Sequence, residues 1–101
     1  MTGVDCITAL KALGELSRLR IVGLLHKERL DVNAISGRLG ITQYNVSKHL
    51  RILREAGLVK LERQGQQRLY GFVPRLKSQL AASKNVLDSG CCTVRFDKLP
   101  K

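Results

Sequence analysis

Two amphipathic segments separated by a short turn that contains Gly40 are the most constraining feature of this chain. The shorter segment follows Asp31, a good N-cap, and ends at Gly40, whereas Thr42 caps a longer segment that runs to Ala56. Apolar residues recur at helical spacing in both: Val32, Ile35 and Leu39, then Val46, Leu50 and Leu53. A short helix, a tight turn and a longer helix with one polar face predict a helix-turn-helix.

Helical spacing also occurs before this pair. Apolar residues within 7–13 predict a first helix that ends at Gly14. A second helix is predicted from Ser17, as its N-cap, to about Lys27. Three helices therefore precede the longer, polar-faced helix.

The spacing changes after Gly57. Two short β-like runs flank a polar tip with Gly65 at its turn, which predicts a β-hairpin across 58–73. We call this hairpin the wing because it directly follows the longer helix. The predicted fold class is α+β and mostly helical: a winged helix-turn-helix with three helices, a recognition helix, a β-hairpin wing and a C-terminal helix.

The C-terminal part predicts one more helix and a tail. Pro74 suits the first position of a helix whose apolar face would carry Leu76, Leu80 and Val86 or Leu87. That helix is expected to end at 88–90, and the alternation after it predicts a short strand or an ordered arm. Residues 1–90 are expected to form one domain, and 91–101 a C-terminal tail with two adjacent cysteines.

Charge indicates the kind of partner. The 101 residues include 18 Lys and Arg against 8 Asp and Glu, a formal net charge of +10, and 32–87 alone holds 10 basic and 2 acidic residues. The excess therefore falls on the predicted recognition helix, wing and last helix, which favours a polyanion. The length excludes a large cofactor-dependent enzyme, no apolar run approaches the ~18–20 residues that span a bilayer, and the N-terminus lacks the pattern of a secretion signal.

The polar face of the longer helix offers side chains that can read a duplex. Gln and Asn can pair with adenine, Lys with guanine, and Tyr can meet a thymine methyl or a phosphate. A basic wing tip suits the adjacent minor groove or its phosphates. The predicted DNA contacts are Thr42, Gln43, Tyr44, Asn45, Ser47, Lys48 and Arg51 on the helix, and Arg63, Gln66 and Arg68 on the wing. The alternative is a solvated polar helix face and a soluble polar turn.

Roughly residues 10–73 resemble the ArsR/SmtB family of winged-helix repressors. The resemblance lies in LSRLRIVGLL and in AISGRLGITQYNVSKHLRILREAGLVKLERQGQQRLYGF, with NVSKHLRILREAGLV as its most specific run. It implies a homodimer, built by the first and last helices, that binds an inverted-repeat operator and is released by an inducer, typically a metal or metalloid ion. Carried over to this sequence, it implies DNA contacts at Thr42, Gln43, Tyr44, Asn45, Ser47 and Lys48 on the helix and at Arg63, Gln66 and Arg68 on the wing.

The three cysteines are the candidate sensor. Many metal-sensing members of the family carry Cys-x-Cys where this chain reads Leu30-Asp31-Val32-Asn33-Ala34, and the last helix lacks the His, Asp and Glu ligands of zinc-sensing members. Thiol ligands can come only from Cys6, Cys91 and Cys92, whose thiolates could together hold a soft ion such as arsenite or antimonite. The alternative is a cysteine packed in the first helix and an incidental pair in the tail. Such cysteine usage favours a reducing cytoplasm.

These observations leave several functions open. The leading hypothesis is a homodimeric repressor whose DNA affinity is switched by a soft metal or metalloid at the cysteines. The second keeps the DNA binding but makes the thiols a redox or persulfide sensor, with oxidation linking Cys6 to Cys91 or Cys92. The third is a winged-helix module that contacts proteins. An enzyme is the least expected, because neither histidine stands in a recognisable catalytic constellation.

Overall fold

The computed structural model describes residues 5–100, and their element order is that of a winged helix-turn-helix. In chain order the elements are α1 (Cys6–Leu13), α2 (Leu16–Lys27), α3 (Val32–Leu39), α4 (Gln43–Glu55), β1 (Val59–Gln64), β2 (Gln67–Phe72), α5 (Pro74–Ala82), β3 (Val86–Asp88), β4 (Thr93–Arg95) and a 3-10 helix (Phe96–Lys98). The predicted fold class is therefore confirmed. No helix within 5–100 is long and apolar enough to cross a membrane.

One contiguous apolar core holds the helices and the wing together. Its most deeply buried side chains, each at most 1% exposed, come from the first four helices and the residue before β1: Ala9, Ile21, Val22, Ile35, Val46, Leu50, Leu53 and Leu58. The stripe predicted on the longer helix is thus the buried face of α4. Burial of that stripe fixes which face of α4 remains in solvent.

Side-chain caps set the ends of the helix-turn-helix. The Asp31 carboxylate accepts the Ala34 backbone N–H at 2.7 Å and begins α3, and Gly40 ends it with φ 68°, a conformation that favours glycine. The Thr42 hydroxyl accepts the Asn45 N–H at 3.2 Å and begins α4. The predicted caps of both helices are confirmed.

The cap of α2 differs from the predicted one. The helix begins at Leu16 because the Glu15 carboxylate, not the Ser17 hydroxyl, accepts an orphan backbone N–H, that of Arg18 at 3.0 Å. Glutamate is a less common N-cap than serine, so local propensity favoured the wrong residue.

The wing is an antiparallel hairpin that also pairs with a third segment. Its strands pair from Val59↔Phe72 to Gln64↔Gln67, and Gly65 occupies the turn with φ 61°. Leu30 exchanges backbone hydrogen bonds with Tyr70, at 3.0 and 2.8 Å, so the segment before α3 lies along β2. This pairing fixes the wing relative to the helix-turn-helix.

The last helix is shorter than predicted. α5 begins at Pro74 and buries Leu76 and Leu80 as expected, but it ends at Ala82, and after a turn at 83–85 the chain continues as the strand β3. Lys84 and Asn85 have φ of 54° and 69°, so the backbone leaves the helical region there. The assignment of Val86 or Leu87 to a helical face was wrong: Leu87 lies in β3 and pairs with Val94 of β4.

The tail packs against the domain. β3 and β4 pair across the boundary expected at residue 90, and the predicted short strand is Thr93–Arg95. Phe96 follows it and is only 3% exposed, in the same core as α2 and α5.

Candidate nucleic-acid interface and thiol pair

All the predicted DNA contacts are exposed, and α4 presents its share opposite the buried stripe. Tyr44 is 72% exposed, and the Lys48 ammonium lies 5.6 Å from the centre of its ring, a cation–π contact. The contact brings a cation and an amphipathic ring into one patch near the N-terminus of the helix. That end of a recognition helix is the one that normally contacts base edges.

The cap of α4 leaves a donor for phosphate. Because the Thr42 oxygen accepts the Asn45 N–H, the hydroxyl hydrogen is available to donate to an anion at the same helix end. Backbone N–H groups and the helix dipole also favour negative charge there. The start of α4 can therefore hold a phosphate while the side chains beyond it reach base edges.

The wing tip places two positive charges opposite each other. Arg63 and Arg68 are cross-strand partners in the antiparallel register, and both are exposed. Like charges directly opposite each other destabilise a hairpin, so folding alone gives no reason for this pair. A polyanion bound at the tip would neutralise both.

Helix α4 and the wing border a common groove. Ser47 of α4 and Gln66 and Arg68 of the wing line it together with Asn33 at the start of α3. The groove therefore brings one predicted contact of α4 beside two predicted contacts of the wing. We call the exposed side of α4, together with the wing tip, the reading face.

Residues that sequence reasoning missed connect α4 with α1. The Arg18 guanidinium donates to the Ala12 carbonyl at 2.6 Å and lies 3.2 Å from Nδ1 of His49, on the flank of α4. The Glu15 carboxylate lies 3.7 Å from the same ring nitrogen. Burial raises the pKa of Glu15, but the Ser17 and Arg18 backbone N–H groups and the nearby positive charges lower it more. No motif marks this cluster, and its only sequence signal is an acid–base pair at the start of α2.

The structure brings two of the three cysteines together. Cys6 opens α1 and Cys91 lies in the β3–β4 turn, 85 residues later, yet their Cα atoms are 5.7 Å apart and their sulfur atoms form a disulfide. Cys92 is a free, half-buried thiol whose Sγ lies 3.1 Å from the Ser89 hydroxyl. Within 5–100 no three His, Cys, Asp or Glu side chains are grouped to hold a metal ion, so the three-thiol site stays a prediction.

Comparison with known proteins identifies the family. Residues 17–60 match a family model described as bacterial regulatory protein, arsR family. Over 79 residues the chain is 33% identical to an uncharacterized HTH-type transcriptional regulator of Mycobacterium tuberculosis, a match that covers 76% of this chain and 69% of that protein. The chain belongs to the ArsR family. It is a DNA-binding transcriptional regulator and not an enzyme, as its sequence predicted.

Solved structures agree with this assignment. HlyU from Vibrio cholerae is 31% identical, with a TM-score of 0.64, and the match covers 76% of this chain and 85% of HlyU. The V. cholerae protein carries the name transcriptional activator HlyU. A homodimeric winged helix-turn-helix DNA-binding domain from Mycobacterium bovis is 29% identical, with a TM-score of 0.67, and the match covers 77% of this chain and 72% of that domain.

Proposed function

We propose that this ArsR-family regulator is a homodimeric repressor that inserts the start of α4 into the major groove of an inverted-repeat operator. The wing tip then lies against the adjacent minor groove and its phosphates. The observation that carries this proposal is the groove in which Ser47 of α4 lies beside Gln66 and Arg68 of the wing. A two-fold dimer would bind half-sites about one helical turn apart, roughly 34–36 Å.

Duplex binding tests the reading face. By fluorescence anisotropy, Lys48→Ala and Tyr44→Ala are expected to change the preference between operator variants. Arg63→Ala should weaken all duplexes alike and reduce the slope of log K against log salt by about 1. Lys98→Ala, which removes the same charge from the C-terminal 3-10 helix, is the matched control. An unchanged sequence preference in both α4 variants would show that the bases are contacted by a different surface.

The same titration separates DNA binding from a protein-interaction role. A dimer that neutralises several phosphates loses duplex affinity steeply as salt rises, because it releases condensed counterions. A winged helix whose partner is a protein would show weak, sequence-independent duplex binding. The ratio of affinities for a palindromic operator and a scrambled duplex, at one salt concentration, is therefore the deciding measurement, because sequence-independent binding by a chain of net charge +10 also depends on salt.

An uncovered apolar face on α1 supports the homodimer. Ile7, Leu10 and Leu16 are 55%, 46% and 60% exposed, on or just after the helix that the family resemblance assigns to the dimer. The M. bovis relative is itself described as homodimeric. Leu10→Glu should shift the chain from dimer to monomer in sedimentation equilibrium, whereas Leu10→Met should not. A dimer that withstands Leu10→Glu would place the interface elsewhere.

Repression is the proposed sign of regulation because the chain resembles a family of winged-helix repressors. The regulator acts where the DNA is, in the cytoplasm. Because HlyU carries the name of an activator, the sign needs its own test: a reporter under the operator should rise when the regulator is removed. A fall would indicate activation.

The effector is proposed to act on Cys6 and Cys91. Their disulfide supports the redox or persulfide form of the sensor: peroxide would take two electrons from the two thiols, forming the S–S bond and two waters. The soft-metal form needs reduced thiols and requires Cys92, which contacts Ser89 here, to move in or a thiol to come from the partner subunit. Only the redox or persulfide form uses the Cys6–Cys91 pair as it stands in the structure.

Operator binding under defined thiol chemistry distinguishes the two forms. Peroxide or polysulfide should release the reduced protein from DNA, and mass spectrometry should find a Cys6–Cys91 link. Arsenite, antimonite, Cd(II) and Zn(II) are titrated in parallel under reducing conditions. If oxidation is the signal, the Cys92→Ser variant should be released from DNA by peroxide or polysulfide as wild type is. If a metal or metalloid bound by three thiols is the signal, the same variant should no longer be released by that ion. A reduced protein that ignores both treatments would show that the cysteines are not the sensor.

A further inference from the structure

A second concave site lies between α2, the end of α3 and the C-terminal segment 96–100. The cavity has a volume of about 560 Å³, in the range of small-molecule sites. Gly23 of α2 forms part of its wall, where Leu99 and Pro100 pass close to the helix. The C-terminal segment therefore closes a space that α2 and α3 alone would leave open.

The walls of this cavity are apolar. Leu24 of α2 and Leu39 of α3 face Phe96 and Leu99 of the C-terminal segment across it. Phe96 is held in place by edge-to-face contact with Phe72 of the wing, at 5.6 Å between ring centres. Such walls suit an alkyl or aryl group rather than a sugar or a nucleotide.

The polar lining is predominantly cationic. Arg20, Lys27 and Arg38 all contribute to it, and the Arg38 guanidinium is bound by Glu28 at 2.7 Å in an exposed ion pair. Asp97 is the one carboxylate that lines the cavity among the described residues, and the Arg95 guanidinium, 2.8 Å away, already neutralises it. The Arg20 guanidinium already donates to the Leu39 carbonyl at 3.3 Å, so a ligand with one negative charge would meet the positive charge of Lys27.

The cavity is separate from the surfaces already assigned. None of its lining residues belongs to α1, α4 or the wing strands. A ligand could therefore occupy it while the protein is dimeric and bound to DNA. Leu39 nevertheless immediately precedes Gly40, so the site adjoins the turn of the helix-turn-helix.

We propose that this cavity binds a small amphipathic organic anion, a monocarboxylate with an apolar chain. The chain would lie among Leu24, Leu39 and Phe96, and the carboxylate would lie at the opening beside Lys27. This site goes beyond the proposed function and does not depend on the thiol pair.

Octanoate is the probe, and the full chain is titrated with it by calorimetry and by amide chemical-shift mapping. We expect saturable binding, with the largest shifts at Gly23, Leu39 and Leu99. The neutral analogue 1-octanol should bind more weakly. Lys27→Ala should weaken octanoate about 2- to 5-fold, the range of a partly exposed charge pair, whereas Lys98→Ala, a charge-matched change outside the cavity, should leave it unchanged. Equal effects of the two lysine variants would overturn the proposal.

Filling the cavity provides a second test. A Cβ at Gly23 would lie 3.6 Å from the Pro100 carbonyl oxygen and 3.7 Å from Leu99 Cβ, so Gly23→Ala should fold and bind octanoate normally. Gly23→Leu should occupy the space and abolish binding, with a thermal melt as the check on folding. If octanoate still binds to folded Gly23→Leu, or if the amide chemical-shift changes are confined to α1 or α4, the octanoate site lies elsewhere. Operator affinity without octanoate is measured separately, so failure of this site and failure of DNA binding are distinguishable.

Discussion

Three aromatic side chains anchor the C-terminal segment to the winged helix. The ring of Phe96 meets Phe72 and His26 edge-to-face, with centres 5.6 and 5.9 Å away. Nε2 of His26 lies 3.0 Å from the Asn85 side-chain oxygen, which ties α2 to the turn before β3. One residue of the tail thus contacts both the wing and the second helix.

Phe96→Ala is therefore expected to destabilise the whole domain. Removing a fully buried phenyl group loses its transfer free energy and leaves a cavity, a combined cost of about 3–5 kcal/mol. Urea unfolding followed by circular dichroism measures this cost. Phe96→Leu, which keeps most of the apolar volume, should lose clearly less. A loss below about 1 kcal/mol for Phe96→Ala would mean that the tail is not part of the cooperative core.

At the scale of an element, the wing carries a conflict between stability and binding. Replacing Arg63 by Thr removes the like-charge pair with Arg68 and introduces a residue that favours strands. The hairpin should become more stable by about 0.2–1 kcal/mol while duplex affinity falls. Thermal melts and anisotropy on the same preparation measure both. If the stability of the domain and its duplex affinity both fall, the arginine pair stabilises the fold, and its role is not explained by binding of a polyanion.

Helix α1 should be sensitive to acid through its N-cap. The hydroxyl and backbone N–H of Thr8 donate to the Asp5 carboxylate, which lowers its pKa below the ordinary 3.8. A lowered folded-state pKa gives stability that is present above the unfolded value and is lost as pH falls through the folded one. Melting temperatures between pH about 7 and about 3 should therefore fall less steeply at the acid end for Asp5→Asn than for wild type. Identical acid limbs would show that this cap contributes nothing.

The elements of the reading face could be predicted from sequence because each is encoded locally. Asp31 and Thr42 cap their own helices, Gly40 ends α3, and the i, i+4, i+7 stripe of α4 decides its buried face. The end of α5 could not be predicted. Leu80 and Leu87 are seven residues apart, which fits a helical face as well as two separate elements, and only the left-handed backbone at 84–85 decides between them.

At the scale of the whole molecule, the sequence left open which cysteine pairs with Cys6 and did not indicate the cavity, for a shared reason. The disulfide and the cavity both join segments that are distant along the chain: α1 with the β3–β4 turn in one case, and α2 and α3 with residues 96–100 in the other. Spacing predicts neighbours along a helix or across a hairpin, but it does not predict which ends of the chain meet. The tail, assigned by sequence only a short strand or an ordered arm, takes part in both.

The disulfide also predicts how the stability of the molecule depends on reduction. Cys6 and Cys91 close nearly the whole chain into one loop, so the bond restricts the unfolded chain and should add about 2–4 kcal/mol to the free energy of unfolding. Urea unfolding with and without dithiothreitol measures this difference. Cys92→Ser should keep the full response to reductant, whereas Cys91→Ser should have none and should match reduced wild type. A wild-type protein that is equally stable in both conditions would mean that α1 and the tail are held together by packing alone. Oxidation of the two cysteines could then not change the position of α1, the helix that the family resemblance assigns to the dimer.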